Sequence, residues 1–221
     1  MNHSPTESRA SQFFDRYAID FDAIYGNANN TLFEKVTNHL FRRSMVTRYE
    51  KTIAGCEPIT GRSVIDIGCG PGHYGVTLAK RGASKVVGLD FAPAMLEIAK
   101  KRAEFEGVGN KCSFEFGDFL THPLPEKFDY AIVMGFMDYV KEPEQVIDRV
   151  LDVISSRAFF SFPAEGGVLA WQRKLRYKSR CDLYLYQEDQ IRSLFSRTKT
   201  PFSVERIDRD FFVTMNAKIS T

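Results

Sequence analysis

From Arg62 to Phe162, short runs of β-branched and aromatic residues alternate with stretches whose apolar positions recur every three or four residues. Continuous apolar runs of four to eight residues suit strands buried on both faces, and their alternation with helical stretches predicts a parallel sheet covered by helices. Strands are expected at Ser63 to Ile67, Lys85 to Leu89, Cys112 to Phe116, Phe128 to Met134 and Arg157 to Phe162. The helical stretches are Tyr74 to Arg81, Pro93 to Glu106, with proline in its first turn, and Pro143 to Ile154. A helix from Glu188 to Ser196 resumes the pattern, and Phe202 to Arg206 with Phe211 to Met215 predict a closing antiparallel hairpin. Together these make an α/β sheet of seven strands, mostly parallel.

The flanks differ. Residues 1–11 are polar and read as a disordered tail. Phe13, Tyr17, Phe21 and Tyr25 then recur every four residues, and Leu32, Phe33, Val36 and Leu40 keep helical spacing beyond the turn signal Gly26-Asn27. This predicts an N-terminal helical lid over residues 12–56 of a single domain spanning 12–221. Its aromatic stripe either fills core or lines a cavity, and core is the simpler reading. Residues 163–182 break the rhythm with Gly166-Gly167, Trp171 and five basic residues, Arg173, Lys174, Arg176, Lys178 and Arg180, and are read as an insertion on the substrate side.

Charge and cysteine usage narrow the function classes. In 221 residues, 30 Lys and Arg face 28 Asp and Glu, a net charge of +2, so no overall field marks a nucleic-acid or membrane binder. Cys56, Cys69, Cys112 and Cys181 form no Cys-x-x-Cys pair, the start carries no apolar leader, and no run approaches the ~18 apolar residues of a spanning helix. A cytoplasmic protein without membrane insertion is expected. His3, His39, His73 and His122 are dispersed, so no metal site is expected either.

The chemistry concentrates in VIDIGCGPGHYG, residues 64–75, where an apolar strand runs into a glycine cluster before a helix. Glycines let the chain turn with positive φ and let a ligand approach the backbone. Asp90 follows at the end of the second strand, 22 residues after Gly68, the spacing at which a carboxylate accepts hydrogen bonds from ribose hydroxyls. Gly70, Gly72 and Gly75 also satisfy the loose Gly-x-Gly-x-x-Gly pattern of dinucleotide binders, so an NAD-dependent oxidoreductase competes. Asp66 separates the two, because its carboxylate repels a pyrophosphate and attracts, directly or through water, a ligand carrying an ammonium group. Each acidic residue also has a local role open to it: Asp66 and Asp118 in turns, Asp90 as a helix cap.

In Asp66, Gly68, Gly70 and Gly72 the chain resembles the first motif of the class I S-adenosylmethionine-dependent methyltransferases, and the likeness runs over roughly residues 60–162. The resemblance implies a Rossmann-like fold and S-adenosylmethionine as cofactor, with S-adenosylhomocysteine as product. It places Cys69 with the glycines in the cofactor loop, Asp90 of VVGLDFAPAML (86–96) on the ribose, and Phe91 or Met95 beside the adenine. In FEFGDFL (114–120) it puts Asp118, next to Phe119, on the adenine amino group. FDYAIVMGFMDYV (128–140) resembles the fourth motif, which sets Met134, Gly135 and Phe136 near the transferable methyl. In related small-molecule enzymes an N-terminal Tyr or Arg closes over the methionine portion, which makes Tyr17, Tyr25 and Arg43 candidates. An aromatic N-terminal helix, this core and a basic insertion also resemble small-molecule enzymes such as the magnesium-protoporphyrin O-methyltransferases.

Methyl transfer is an in-line displacement that orientation alone accelerates strongly, so no conspicuous base is required, and none is assigned among His73, Asp138, Tyr139 and Glu165. Asp138 and Tyr139 remain candidates for substrate contact. The Asn/Asp-Pro-Pro-Tyr/Phe signature of many nucleic-acid amine methyltransferases is absent after the fourth strand, where the chain reads Met134-Gly135-Phe136-Met137. A small acceptor enclosed by a lid, methylated on a hydroxyl oxygen, is expected, with no nucleic-acid partner. If Arg173, Arg176 and the N-terminal Arg42, Arg43 and Arg48 face the pocket, that acceptor is anionic. A non-catalytic methyltransferase-like subunit stands as a further alternative.

Overall fold

The structure, a computed structural model, describes residues 32–166 and 182–217, with side chains from Arg43 onward. The polar tail, the stripe from Phe13 to Tyr25 and the basic cluster from Trp171 to Arg180 lie outside the described residues.

Helix α1 (Leu32–Gly55) leads into β1 (Ser63–Ile67), α2 (His73–Lys80), β2 (Lys85–Asp90), α3 (Pro93–Phe105) and β3 (Cys112–Phe116). The chain continues through β4 (Phe128–Val133), α4 (Pro143–Val153), β5 (Ile154–Pro163), α5 (Glu188–Ser196), β6 (Phe202–Ile207) and β7 (Asp210–Asn216). These form one seven-stranded sheet in the order β3-β2-β1-β4-β5-β7-β6. Strands β1 to β5 run parallel, and β7 pairs antiparallel with both β5 and β6. The Rossmann-like fold with a C-terminal antiparallel hairpin is therefore present.

Alternation along the strands builds two cores, one on each face of the sheet. Ile65, Ile67, Val87, Leu89, Ala131 and Val133 point to one face and join Val146, Ile147, Val150 and Leu151 of α4 and Ile191 and Phe195 of α5. The α4 positions follow the i, i+1, i+4, i+5 spacing of a one-sided apolar stripe. Val64, Val86, Tyr130, Ile132 and Phe159 point the other way and meet Ile53 of α1, Val76, Leu78 and Ala79 of α2, and Leu96 and Ala99 of α3. Fully burying one such aliphatic or aromatic side chain stabilises by about 1.5–3 kcal/mol, which is why the sequence spends its Val, Ile, Leu and Phe here.

The inward side of α1 and the residue after it form a wall of this second core. Thr52 and Cys56 are fully buried, the Tyr49 hydroxyl lies 2.6 Å from Thr77 Oγ1, and Arg157 Nη1 donates to the Gly55 carbonyl at 2.9 Å. One boundary differs in kind from expectation. Ile154 opens β5 instead of closing α4, because its extended backbone pairs with Phe128 of β4 and buries its β-branched side chain.

Candidate functional site

From β1 the chain winds outward to β2 and β3, then returns to β4 on the other side of β1. This reversal leaves a crevice at the carboxyl ends of β1 and β4, where open α/β sheets bind ligands. The glycine loop Gly68 to Gly72 occupies that position. Its first two amides, Gly68 and Cys69, donate to the Leu89 carbonyl at 2.8 and 3.0 Å, tying the loop to the end of β2.

Asp90 then grips the loop from the side. Its Oδ2 accepts the Gly70 amide at 2.8 Å and its Oδ1 accepts the Ala92 amide at 2.9 Å. The turn at Gly70 needs glycine, since φ is +50° and a Cβ there would meet nothing within 4 Å, leaving clearance for a ligand above the backbone. Two residues earlier the constraint is reversed. A Cβ on Gly68 would come within 2.7 Å of Phe136 Cδ2, so the Phe136 ring closes over the loop from the β4 side.

Asp66 lies beneath the loop, 2% exposed, with Oδ2 accepting the Gly75 amide in the first turn of α2 at 3.3 Å. Loss of water by burial pushes its carboxyl up to about 7; the Gly75 N–H opposes this and the nearby Asp90 carboxylate adds to it. Asp118 is half-buried and accepts the Leu120 amide on Oδ1 at 3.0 Å. Each of the three acidic residues thus accepts a backbone amide, Asp118 within its own turn as expected, whereas Asp90 does not cap the helix after it, whose N-cap is Ala92. A carboxylate has about four lone-pair sites, so those bonds coexist with ligand contacts.

Apolar residues pack behind the crevice. Ala92 and Met95 form a small cluster with Ala94 and Ile98, separate from the two main cores, and Phe91 is half-buried beside them. Met134 and Tyr139 are half-buried at the end of β4, whereas Asp138 is 2% exposed. The Asp138 carbonyl accepts the Tyr184 amide at 2.9 Å. Arg43 lies at the same end of the sheet, its side chain 67% exposed and Nε 3.9 Å from Asp208 Oδ2 in the turn after β6.

Three side chains of the expected cofactor set are buried away from the crevice, Met95 at 2% exposed being one. Cys69 is buried with Sγ toward the sheet, 2.9 Å from where a Cβ on Gly88 would sit, and burial holds its thiol well above the ordinary range. Only its backbone belongs to the loop surface. Phe119 is 2% exposed and belongs to the core on the α4 face. Tyr17, Tyr25, Arg173 and Arg176 lie outside the described residues. Two residues near the site went unread: Phe116, 56% exposed and in register with Asp90, and the buried Ser161, whose Oγ accepts the Gly135 amide at 2.8 Å. A serine inside the apolar run AFFSFP was the available clue for the second. Among the described residues no group of three metal-ligating side chains is gathered, and no helix is long and apolar enough to cross a membrane.

Glycine loop, ribose-spacing carboxylate and switch-point crevice define a nucleotide-cofactor enzyme of the Rossmann-like class. A family model described as a methyltransferase domain matches residues 60–174. Magnesium-protoporphyrin O-methyltransferase of Rhodobacter capsulatus is 33% identical over 162 residues, covering 71% of this chain and 67% of that protein. Ubiquinone biosynthesis O-methyltransferase of Pseudomonas fluorescens (strain SBW25) is 30% identical over 105 residues, covering 47% of this chain and 45% of that protein. The crystal structure of magnesium protoporphyrin IX methyltransferase from Synechocystis PCC 6803 with bound S-adenosylmethionine superposes with a TM-score of 0.75 at 19% identity, over 99% of this chain and 100% of that one. The chain belongs to the class I S-adenosylmethionine-dependent methyltransferases. Membership removes the NAD-dependent oxidoreductase that the glycine spacing alone left open.

Proposed function

We propose that this protein transfers the methyl group of S-adenosylmethionine to an oxygen of a small, anionic acceptor. The observation that carries the cofactor half is the clamp of Asp90 on Gly70 around a loop whose glycine faces open space at the switch point. The residues present fit the cofactor. Asp90, with its side chain already oriented by two amides, accepts from the ribose hydroxyls on its remaining lone pairs. The half-buried Phe91, backed by the buried Ala92 and Met95, gives the adenine an apolar shelf, and Asp118, with Oδ1 engaged locally, offers Oδ2 to the amino group.

The buried Asp66, ionised when positive charge sits above it, places negative charge below the loop and so favours the cationic methionine end. S-adenosylmethionine supplies an electrophilic methyl on a sulfonium. Around it, Met134, Gly135 and Phe136 exclude water and align the acceptor, and alignment of this kind lowers the barrier by converting an encounter into a fixed geometry. That the two relatives above are named O-methyltransferases supports oxygen as the acceptor atom. The exposed Arg43 at the site end of the sheet supports an anionic acceptor, as do Arg173 and Arg176 in sequence.

The test is transfer of labelled methyl from S-adenosylmethionine to a panel of small acceptors, beginning with magnesium-protoporphyrin and ubiquinone precursors and extending to carboxylated and phosphorylated alcohols. Label on an oxygen of an anionic compound, with loss of turnover efficiency in Arg43→Ala, is expected. Label delivered only to amines or to polynucleotides would contradict it.

A further inference from the structure

The second core contains a charged group that the cofactor site does not use. Arg48, on α1, is only 9% exposed, and its Nη1 donates to Ser161 Oγ at 3.0 Å while lying 3.7 Å from Asp210 Oδ2. Ser44, one turn earlier on the helix, donates to that same Asp210 oxygen at 2.6 Å. Ser161 and Asp210 are 0% and 1% exposed and sit on β5 and β7, on the face that α1 covers. Ser161 Oγ also accepts the Gly135 amide at 2.8 Å, and Gly135 has φ +70° with nothing within 4 Å of a Cβ built on it. The next residue, Phe136, packs over Gly68. A chain of contacts therefore runs from α1 through Arg48 and Ser161 to Gly135, and on through Phe136 to the glycine loop.

Well-packed apolar residues often stabilise a core as well as or better than a buried ion pair, so stability alone does not account for an arginine here. What this set provides, and an apolar set does not, is a directed hydrogen bond on the Gly135 amide. With two N–H donors on its oxygen, the Ser161 hydroxyl is held in one orientation; without Arg48 it is free to rotate and donate elsewhere. We propose that Arg48 is a positioning residue, acting through Ser161 to fix the Gly135 amide and so the wall that Met134 to Phe136 present to the cofactor. The functional half of this inference rests on the cofactor reading above.

The experiment uses the full chain in four forms: wild type, Arg48→Met, Ser161→Ala and the control Thr52→Val. Thr52 lies on the same helix, fully buried, and its hydroxyl donates to the Arg48 carbonyl at 2.8 Å. Amide hydrogen exchange at Gly135 is read by NMR, and S-adenosylmethionine affinity by calorimetry. Loss of one buried hydrogen bond predicts about tenfold faster exchange and about tenfold weaker binding in Arg48→Met and Ser161→Ala, with both readouts within about twofold of wild type in Thr52→Val. The double variant Arg48→Met with Asp210→Asn, which removes both charges of this pair, repeats the test should the single variant not fold. Unchanged Gly135 exchange in a folded Arg48 variant overturns the proposal, as does faster exchange with unchanged affinity, or an equal effect of Thr52→Val. If wild type binds no S-adenosylmethionine the cofactor reading fails instead, and the exchange data still decide whether Arg48 holds Gly135.

Discussion

Replacing Asp66 by Asn tests the electrostatics beneath the cofactor loop, because it keeps the side chain's shape and an oxygen for the Gly75 amide while removing the ionisable group. Burial raises the Asp66 carboxyl from the ordinary 3.8 to about 7 in the ligand-free protein. The folded state then keeps a proton that the unfolded chain releases across that interval, so this group's contribution to stability falls as pH rises through it. At about 1.4 kcal/mol per pH unit the whole displacement amounts to about 4 kcal/mol, of which about 2 kcal/mol falls between pH 5 and pH 7. Urea unfolding of wild type and Asp66→Asn at half-unit steps from pH 5 to pH 8.5 isolates the term, since the other titrating groups are common to both. The stability of wild type relative to the variant should decline by that amount toward pH 7 and level off above pH 8. A ligand with positive charge above Asp66 favours its ionised form, so wild-type affinity for S-adenosylmethionine should rise with pH up to about 7 and that of Asp66→Asn should not. A stability difference that stays flat across the range would mean that the carboxylate is ionised in the folded protein despite its burial.

Three further outcomes are expected. Gly70→Val places a side chain in the open space above the loop at φ +50°, so it should cost about 1–2 kcal/mol of stability and weaken S-adenosylmethionine binding at least tenfold; calorimetry showing near-wild-type affinity would contradict the loop assignment. Asp118→Ala should weaken both adenosyl ligands by about tenfold, while unfolding experiments show a loss of about 1 kcal/mol from the Leu120 turn; unchanged affinity would return Asp118 to a turn role alone. Phe195→Ala empties a fully buried site where the ring meets Phe160 and Phe162 edge-on at 5.2 and 5.9 Å, so urea unfolding should report a loss of about 3–5 kcal/mol, and a loss below about 1 kcal/mol would mean that α5 does not close this core.

The sheet was legible because β1, β2 and β4 in its middle are buried on both faces and are written as largely apolar runs, while the edge strand β3 shows as the alternating CSFEF. Ser63–Ile67, Cys112–Phe116 and the helix Glu188–Ser196 fall at the expected residues. The glycine loop and Asp90 were legible for a related reason: turn chemistry and ribose spacing are local, and the structure joins them by one hydrogen bond of 2.8 Å. Side-chain direction was harder. Cys69 and Phe119 sit within the right motifs but point into the core, and nothing in either motif's spacing states that direction. Least legible was the contact of Arg48 with Ser161. Those residues are 113 positions apart, and only the packing of α1 on β5 and β7 brings them together. The charge on α1 was visible in the sequence; its burial was not.

The most direct test of the account is calorimetric titration of the purified protein with S-adenosylmethionine and S-adenosylhomocysteine, alongside Asp90→Ala. Asp90 holds the loop amide at Gly70 and is the proposed ribose acceptor, so wild type should bind both ligands in the micromolar range and the variant should lose at least about tenfold in affinity for each. Wild-type affinity retained in a folded Asp90→Ala, or no binding of either adenosyl ligand by wild type, would contradict it.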